Sequence, residues 1–469
     1  MGGDATNPSG LRSVSTLVLA VLAAAAGSIR GDDPPAVADV AAFLALREID
    51  QPRRAAIETA ADWTPEVEAD VVKVLQRLDA PPALVAGWRK AARPAPAAGE
   101  AVAIADALLA VRGRAIFVAP RKLAADLAER LGRPGYDVIR LVDERGLVVD
   151  VLTPAAPRAW PRWRPIDEPV GALALPLSAT ARPPLADQPA AAAAWPDAPA
   201  GLLAAAAHVA WVPDTPLGRL GMDYGLFDTV ADGQKLVRGD TAAFFALLEA
   251  VGRTDAPAIQ AAAAPTDVLA LIDPGRKWLP EHRGDPVVIE GAALRATRVP
   301  IDDAFRREQV GSDHYWELYV FTETPLLEVD GRMQNSFPLV CCVRELPPGM
   351  PTGDRINEPV RVPGFAFKRY AYTFEAPVAQ GDRMVNETER QITTLVVGPR
   401  AIWTPPAADP DSRKIALIVG VAVVLALAAV FGLGLLSSTW SVNRAIKQAR
   451  AELPERIDIP TDESGPNGR

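Results

Sequence analysis

The sequence has two stretches whose side chains could do chemistry, and the first is acidic. It contains Asp302 and Asp303, followed by His314 about a dozen residues later. Two carboxylates and an imidazole could bind Ca²⁺ or act as general acid and base, provided that the intervening residues fold back. The simpler interpretation is a solvated loop in which Arg306 and Arg307 neutralise the two acids.

The second stretch is an aromatic and basic segment, residues 360–374, which alternates like a β-strand. Strict alternation places Phe365 and Phe367 on one face and the cation and tyrosines on the other. Exposed rings beside a cation can stack on bases or sugars. Our candidate ligand face is therefore Tyr315, Lys368, Tyr370 and Tyr372. The alternative is that these rings only fill a core.

Motifs for other chemistry are missing from the sequence. It has no G-x-S-x-G elbow, H-E-x-x-H helix, Walker loop or C-x-x-C pair. Its three histidines are far apart in sequence. Its only cysteines, Cys341 and Cys342, are adjacent, so a disulfide between them could not cross-link distant segments. We therefore predict no catalytic residue, no cofactor and no metal site, and we interpret the cysteines as small apolar fillers.

A long apolar segment near the C-terminus predicts one membrane-spanning helix. Residues 415–436 contain no charged or hydrogen-bonding side chain, and about 20 such residues cross a bilayer as a helix. Arg413 and Lys414 precede this segment, and Trp440 follows it at the depth of an aromatic belt. We place the transmembrane helix at residues 414–436, with lipid contact through 415–436.

The N-terminus resembles a signal peptide, residues 1–28. Arg12 supplies the early positive charge, residues 14–26 form an apolar run, and small residues follow. An uncleaved N-terminal anchor is the alternative. In both cases the large central region is extracytoplasmic and residues 437–469 form a cytoplasmic tail, so we expect a single-pass membrane protein.

The central region predicts an α+β fold with an N-terminal helical segment and two small β-barrel modules, OB-like or sandwich. A Thr-Pro-Glu helix start at residues 64–66 and alternating strands support this division. The predicted boundaries are 35–95 for the helical segment, 98–165 for the first β module, 166–212 for an Ala/Pro-rich linker, 213–283 for a mixed helical region and 284–405 for a five-stranded OB-like module.

These features together favour a non-enzymatic binding or structural role in the cell envelope, with an envelope protein or a saccharide as partner. One alternative is a membrane-tethered hydrolase or calcium-binding module that uses Asp302, Asp303 and His314. Another is OB-like binding of an oligonucleotide or oligosaccharide. The formal net charge of −9 argues against nucleic acid, because nucleic-acid-binding proteins are normally basic.

Overall fold

The computed structural model describes residues 40–60, 63–100, 107–179, 195–196, 200–329, 332–380, 383–405, 421–423, 425, 427 and 428. The chain divides at Thr404 into two units. The first unit is a mixed α+β structure with two β-sheets, which confirms the predicted fold class at this level. The predicted signal peptide and cytoplasmic tail lie outside the described residues.

Four helices open the described chain. They are α1 (Val40–Ala45), α2 (Gln51–Thr59), α3 (Pro65–Arg77) and α4 (Pro82–Ala91). α3 begins as the sequence predicts, because the Thr64 hydroxyl accepts a hydrogen bond from the Val67 amide and proline occupies the first turn. Its buried Val71 and Leu75 share a core with Leu152 of the first sheet, so the helices cover one face of that sheet.

The first sheet closes into a ring of five strands. Its strands are β1 (Arg93–Pro94), β2 (Leu109–Lys122), β3 (Gly135–Asp143), β4 (Val148–Thr153), β5 (Pro165–Ser178), β6 (Leu202–Ala205) and β7 (Val209–Trp211), with α5 (Ala125–Leu131) between β2 and β3. The ring order is β2, β3, β4, β6, β5 and back to β2. β4 and β6 pair in parallel, and the other neighbours in the ring are antiparallel.

The predicted linker at residues 166–212 is wrong where it covers β5, β6 and β7, since all three strands belong to the first sheet. The high alanine content that suggested a linker has another cause. Ala174, Ala204 and Ala205 are fully buried, and small side chains suit the crowded core of a small closed sheet. Residues 180–194 of the same stretch lie outside the described part of the chain.

Short helices connect the two sheets. Three 3-10 helices come first, Gly218–Leu220, Tyr224–Thr229 and Arg238–Asp240. They are followed by α6 (Thr241–Val251), α7 (Ala256–Ala262), α8 (Val268–Ile272), a 3-10 turn (Pro274–Arg276) and α9 (Trp278–His282). α6 is the longest of these helices, and its Phe244, Leu247 and Leu248 are buried against the second sheet.

The second sheet closes in the same order as the first. Its strands are β8 (Pro286–Pro300), β9 (His314–Val329), β10 (Arg332–Glu345), β11 (Glu358–Gln380), β12 (Arg383–Arg400) and β13 (Ile402–Trp403), with α10 (Ala304–Val310) between β8 and β9. The ring order is β8, β9, β10, β12, β11 and back to β8, and β10 pairs with β12 in parallel. Each face has its own core, and Cys341 and Cys342 are buried on opposite faces.

The described part of the second unit is a short helical stretch. Val421, Val423, Leu425 and Leu427 are between 51% and 64% exposed there. Within the part of the chain that the structure describes, every helix is too short or too polar to traverse a bilayer. Most of the predicted transmembrane helix, 414–436, lies outside the described residues.

A glycine occupies the corresponding place in the first strand of each ring. Gly113 of β2 pairs with both β3 and β5, and Gly291 of β8 pairs with β11 while lying against β9. A Cβ at Gly113 would overlap the carbonyl oxygen of Val142, and one at Gly291 would overlap that of Phe321. Ring closure therefore requires a residue without a side chain at both places.

We expect Gly113→Ala and Gly291→Ala each to lower the free energy of unfolding by about 1–3 kcal/mol, because the neighbouring backbone must move. Gly87→Ala is the matched control. It lies within α4 with no atom near its added methyl group, so about 0.5–1 kcal/mol of stabilisation is expected. Urea unfolding of the three variants measures this, and equal effects at all three positions would contradict the role assigned to ring closure.

Candidate functional site

Residues 213–240, the bridging segment, contact both sheets through a continuous series of aromatic rings. Successive ring centroids lie 5.2–6.3 Å apart, mostly edge to face. The series is Trp160, Trp211, Tyr224, Phe227, Phe367, Phe244 and Tyr315. Because such ring pairs stabilise beyond the area they bury, the bridging segment holds the first sheet against the second.

A histidine–carboxylate pair strengthens the first-sheet side of this junction. His208, between β6 and β7, pairs with Asp223, whose other oxygen accepts hydrogen bonds of 2.9 Å from the amides of Trp211 and Gly225. Burial disfavours the charged imidazole, but the Asp223 carboxylate outweighs burial and raises the pKa of His208 above its ordinary value. The charged form of this pair therefore favours the assembled junction.

A fully buried ion pair secures the second-sheet side. Lys368 Nζ donates to Asp240 Oδ2 at 2.6 Å, and neither side chain is exposed. Asp240 also accepts from the amides of Ala231 at 2.8 Å and Val237 at 3.0 Å, and Lys368 donates to the Lys235 carbonyl at 3.2 Å. The desolvation of both charges is thus offset by direct contacts, which is the condition for a stable buried pair.

This ion pair corrects one member of the candidate ligand face. Lys368 cannot bind a ligand, because it is fully buried beneath the bridging segment and its ammonium group is paired with Asp240. A bulge at Phe367 also changes the predicted alternation, since Ala366 pairs with Val396 and Lys368 with Leu395. Consequently Phe365 and Phe367 pack in the same core as the tyrosines, rather than on the opposite face.

The three predicted tyrosines do lie together. Tyr315, Tyr370 and Tyr372 are 7–9% exposed and belong to one core on the α6-covered face of the second sheet. The Tyr372 hydroxyl is hydrogen-bonded to Gln391, and its ring lies 5.4 Å from that of Tyr319, edge to face. The rings are therefore mostly core, and what remains available to a ligand is the hydroxyl edge of this cluster.

The sequence interpretation missed the acid at this edge, Glu317. It lies between Tyr315 and Tyr319 on β9, directly opposite Cys342 of β10, and it is half-buried. Tyr319 follows two residues later on the same strand, and its phenol is near enough to act on the carboxyl of Glu317. The signal was present in the sequence, because alternation in the run His-Tyr-Trp-Glu-Leu-Tyr puts Tyr315, Glu317 and Tyr319 on one face. We call Tyr315, Glu317, Tyr319 and Tyr370 the tyrosine–glutamate cluster.

The electrostatics of the cluster follow from partial burial. Burial raises the pKa of Glu317, although the Tyr319 phenol and the charges of Arg295 and Lys235 oppose that shift. Burial, together with the Glu317 charge, also raises the pKa of Tyr319 to about 12. The phenols therefore stay protonated at neutral pH and act as hydrogen-bonding groups. Cys342 beneath them stays a thiol, because burial raises its pKa well above the ordinary value.

The acidic candidate does not assemble into a site. Asp303 caps α10 by accepting from the Arg306 amide at 2.8 Å, and Arg307 donates to the Asp302 carbonyl at 2.7 Å. His314 pairs instead with its neighbour Asp313. Across the described ranges, no group of three or more histidine, cysteine or acidic side chains is placed to hold a metal ion. The three predicted residues thus have separate local roles.

Comparison with known proteins adds no assignment. No protein-family model matches this sequence, and no curated protein matches it. A function for this chain therefore has to be inferred from its own geometry, and the tyrosine–glutamate cluster is the candidate binding site.

We expect Lys368→Met to lower the free energy of unfolding by about 3–5 kcal/mol, because it leaves the Asp240 carboxylate buried and unpaired. The control is Arg361→Met, which breaks an ion pair with Glu290 whose side chains are 44% and 61% exposed. Loss of such a surface pair costs at most about 1 kcal/mol. Denaturant unfolding at neutral pH measures both, and a similar small loss for the two variants would contradict the structural role of the buried pair.

Proposed function

We propose that this chain is a non-enzymatic binding protein anchored in a membrane by residues 414–436, with OB-like modules that face the extracytoplasmic side. The observation that carries the proposal is the position of the tyrosine–glutamate cluster. In OB folds, ligands bind on the face of strands 2 and 3. β9 is the second strand of its ring, and it supplies Tyr315, Glu317 and Tyr319.

The strand order supports the OB-like part of this proposal. When the five strands of each ring are numbered in chain order, their order around the ring is 1, 2, 3, 5, 4 and back to 1. Strands 3 and 5 pair in parallel. Five strands closed in a Greek-key order are typical of this fold. The α5 and α10 helices each lie between two strands of a ring. An oligonucleotide ligand fits less well, because the chain is acidic overall.

Exposed apolar side chains support the anchor. Val421, Val423, Leu425 and Leu427 are helical and more than half exposed, inside the segment whose sequence predicts a membrane span. A run of exposed aliphatic side chains is favourable only where lipid or protein covers it. Together with the signal-like residues 1–28, this supports an extracytoplasmic orientation for the region between them.

A binding role fits the chemistry of the cluster better than catalysis does. Its protonated phenols and half-buried carboxylate offer hydrogen bonds and ring faces. Cys342, the sulfur nucleophile next to Glu317, is fully buried and held as a thiol, so it cannot attack a substrate. An envelope protein or a saccharide is the partner that we propose.

Membrane fractionation of the full chain tests the anchor. We expect the protein to stay in the pellet after an alkaline carbonate wash, and a chain truncated after residue 412 to be released. A chain truncated after residue 453 is the matched control and should stay in the pellet. Protease added to intact cells should digest the central region. Release of the full chain by carbonate, or protection of the central region in intact cells, would contradict the proposal.

A further inference from the structure

The tyrosine–glutamate cluster contains hydrogen-bonding groups that the protein itself does not use. The side chains of Tyr315 and Tyr370 are more than nine-tenths buried. Among the described residues, neither of their hydroxyls has a hydrogen-bond partner. Both phenols lie close enough to Glu317 for its charge to raise their pKa. The rings are buried, but neither hydroxyl is among the fully buried polar atoms of the described chain, so both hydroxyls are open to a bound molecule.

The carboxylate at the centre is also incompletely paired. Within the described chain, Glu317 forms no ion pair, and the phenol of Tyr319 beside it is neutral. The nearby Arg295 is already balanced by Asp354 at 3.0 Å, and its guanidinium lies 5.4 Å from the Tyr319 ring centre. A half-buried carboxylate with this environment gains from a directly bound cation, because burial outweighs the charges of Arg295 and Lys235 that act on it.

We propose that the tyrosine–glutamate cluster binds the ammonium group of a ligand, as carried by an amino sugar or a lysine side chain. Glu317 accepts the charged N–H groups, the phenol oxygens of Tyr315 and Tyr370 accept further hydrogen bonds, and the ring of Tyr319 offers a π face beside them. A neutral sugar would leave the carboxylate unpaired, and an anion would be repelled by it. This inference rests on the proposed binding function and names its ligand class.

Calorimetric titration of the full chain in detergent tests the inference. The probes are glucosamine and lysine amide, which represent the two sources, and glucose, which has the same ring as glucosamine without the ammonium group. We expect an ammonium probe to bind and glucose not to bind. Whichever of the two amines binds more tightly identifies the source.

Variants then assign the binding to the cluster. Glu317→Gln keeps the shape and removes the charge, so the affinity for the ammonium probe should fall at least about tenfold. Tyr370→Phe removes one hydroxyl and should weaken binding a few-fold, which keeps the test valid if Glu317→Gln folds poorly. Glu345→Gln is the control, because Glu345 is 61% exposed and pairs with Arg400. Its affinity should match that of the unmodified chain.

The pH dependence supplies a further readout. Affinity should fall as the pH is lowered and Glu317 takes up a proton. Because burial raises the pKa of Glu317, this loss should begin at a higher pH than for an ordinary glutamate. Glu317→Gln should bind weakly at every pH.

Three results would overturn the inference: no binding of either amine, equal binding of glucose, or unchanged binding by both Glu317→Gln and Tyr370→Phe. Membrane fractionation is independent of all three. An anchored chain that binds neither amine would refute the ligand class and leave the anchor standing, whereas a chain released by carbonate would refute the anchor alone.

Discussion

The buried ion pair between Asp240 and Lys368 is the constraint on which the second sheet and its candidate site depend. Two charges with no exposed surface are stable only where each finds several partners, and here the backbone from Ala231 to Asp240 supplies them. The geometry of that backbone is thereby coupled to one position on β11. α6 begins immediately after Asp240, so the same contact sets where the helix lies on the sheet.

The position of α6 determines which part of the tyrosine cluster is left accessible. Phe244 of this helix packs against the Tyr315 ring at 5.2 Å, so the helix covers the ring and leaves the hydroxyl edge near Glu317. The aromatic series then continues through Phe227 and Tyr224 to Trp211 of the first sheet. One bridging segment therefore joins the sheets and shapes the site, which couples the stability of the junction to the geometry of the cluster.

Much of the fold was predictable, because strand alternation is a local signal. The strands around residues 136–152 and 314–322 stand out in the sequence, and the Thr64 cap of α3 follows from residue type alone. β5 and β6 were not predictable, because their alanines also suit a linker and only ring closure buries them. Composition does not distinguish a small buried side chain from a flexible one.

The candidate site was predictable only in part. The tyrosines were identified from their spacing, because side chains alternate between the two faces of β9 and of β11 beyond its bulge. Lys368 was assigned wrongly, because its partner Asp240 lies 128 residues away and no local pattern reveals it. Glu317 was overlooked although the alternation of β9 places it on one face with Tyr315 and Tyr319. Its importance comes from burial and from the absence of an ion pair in the described chain, and both depend on how β9 packs under its neighbours.

Native-state hydrogen exchange of the full chain under increasing denaturant tests most directly whether the bridging segment unites the two sheets. The amides to follow are those of Ile139 and Leu339, which are fully buried in the first and second sheets. If the aromatic series and the buried ion pair couple the sheets, both amides should converge on one opening free energy with one denaturant dependence. Two separate opening free energies that stay distinct up to global unfolding would show that the sheets open independently, and would contradict this account.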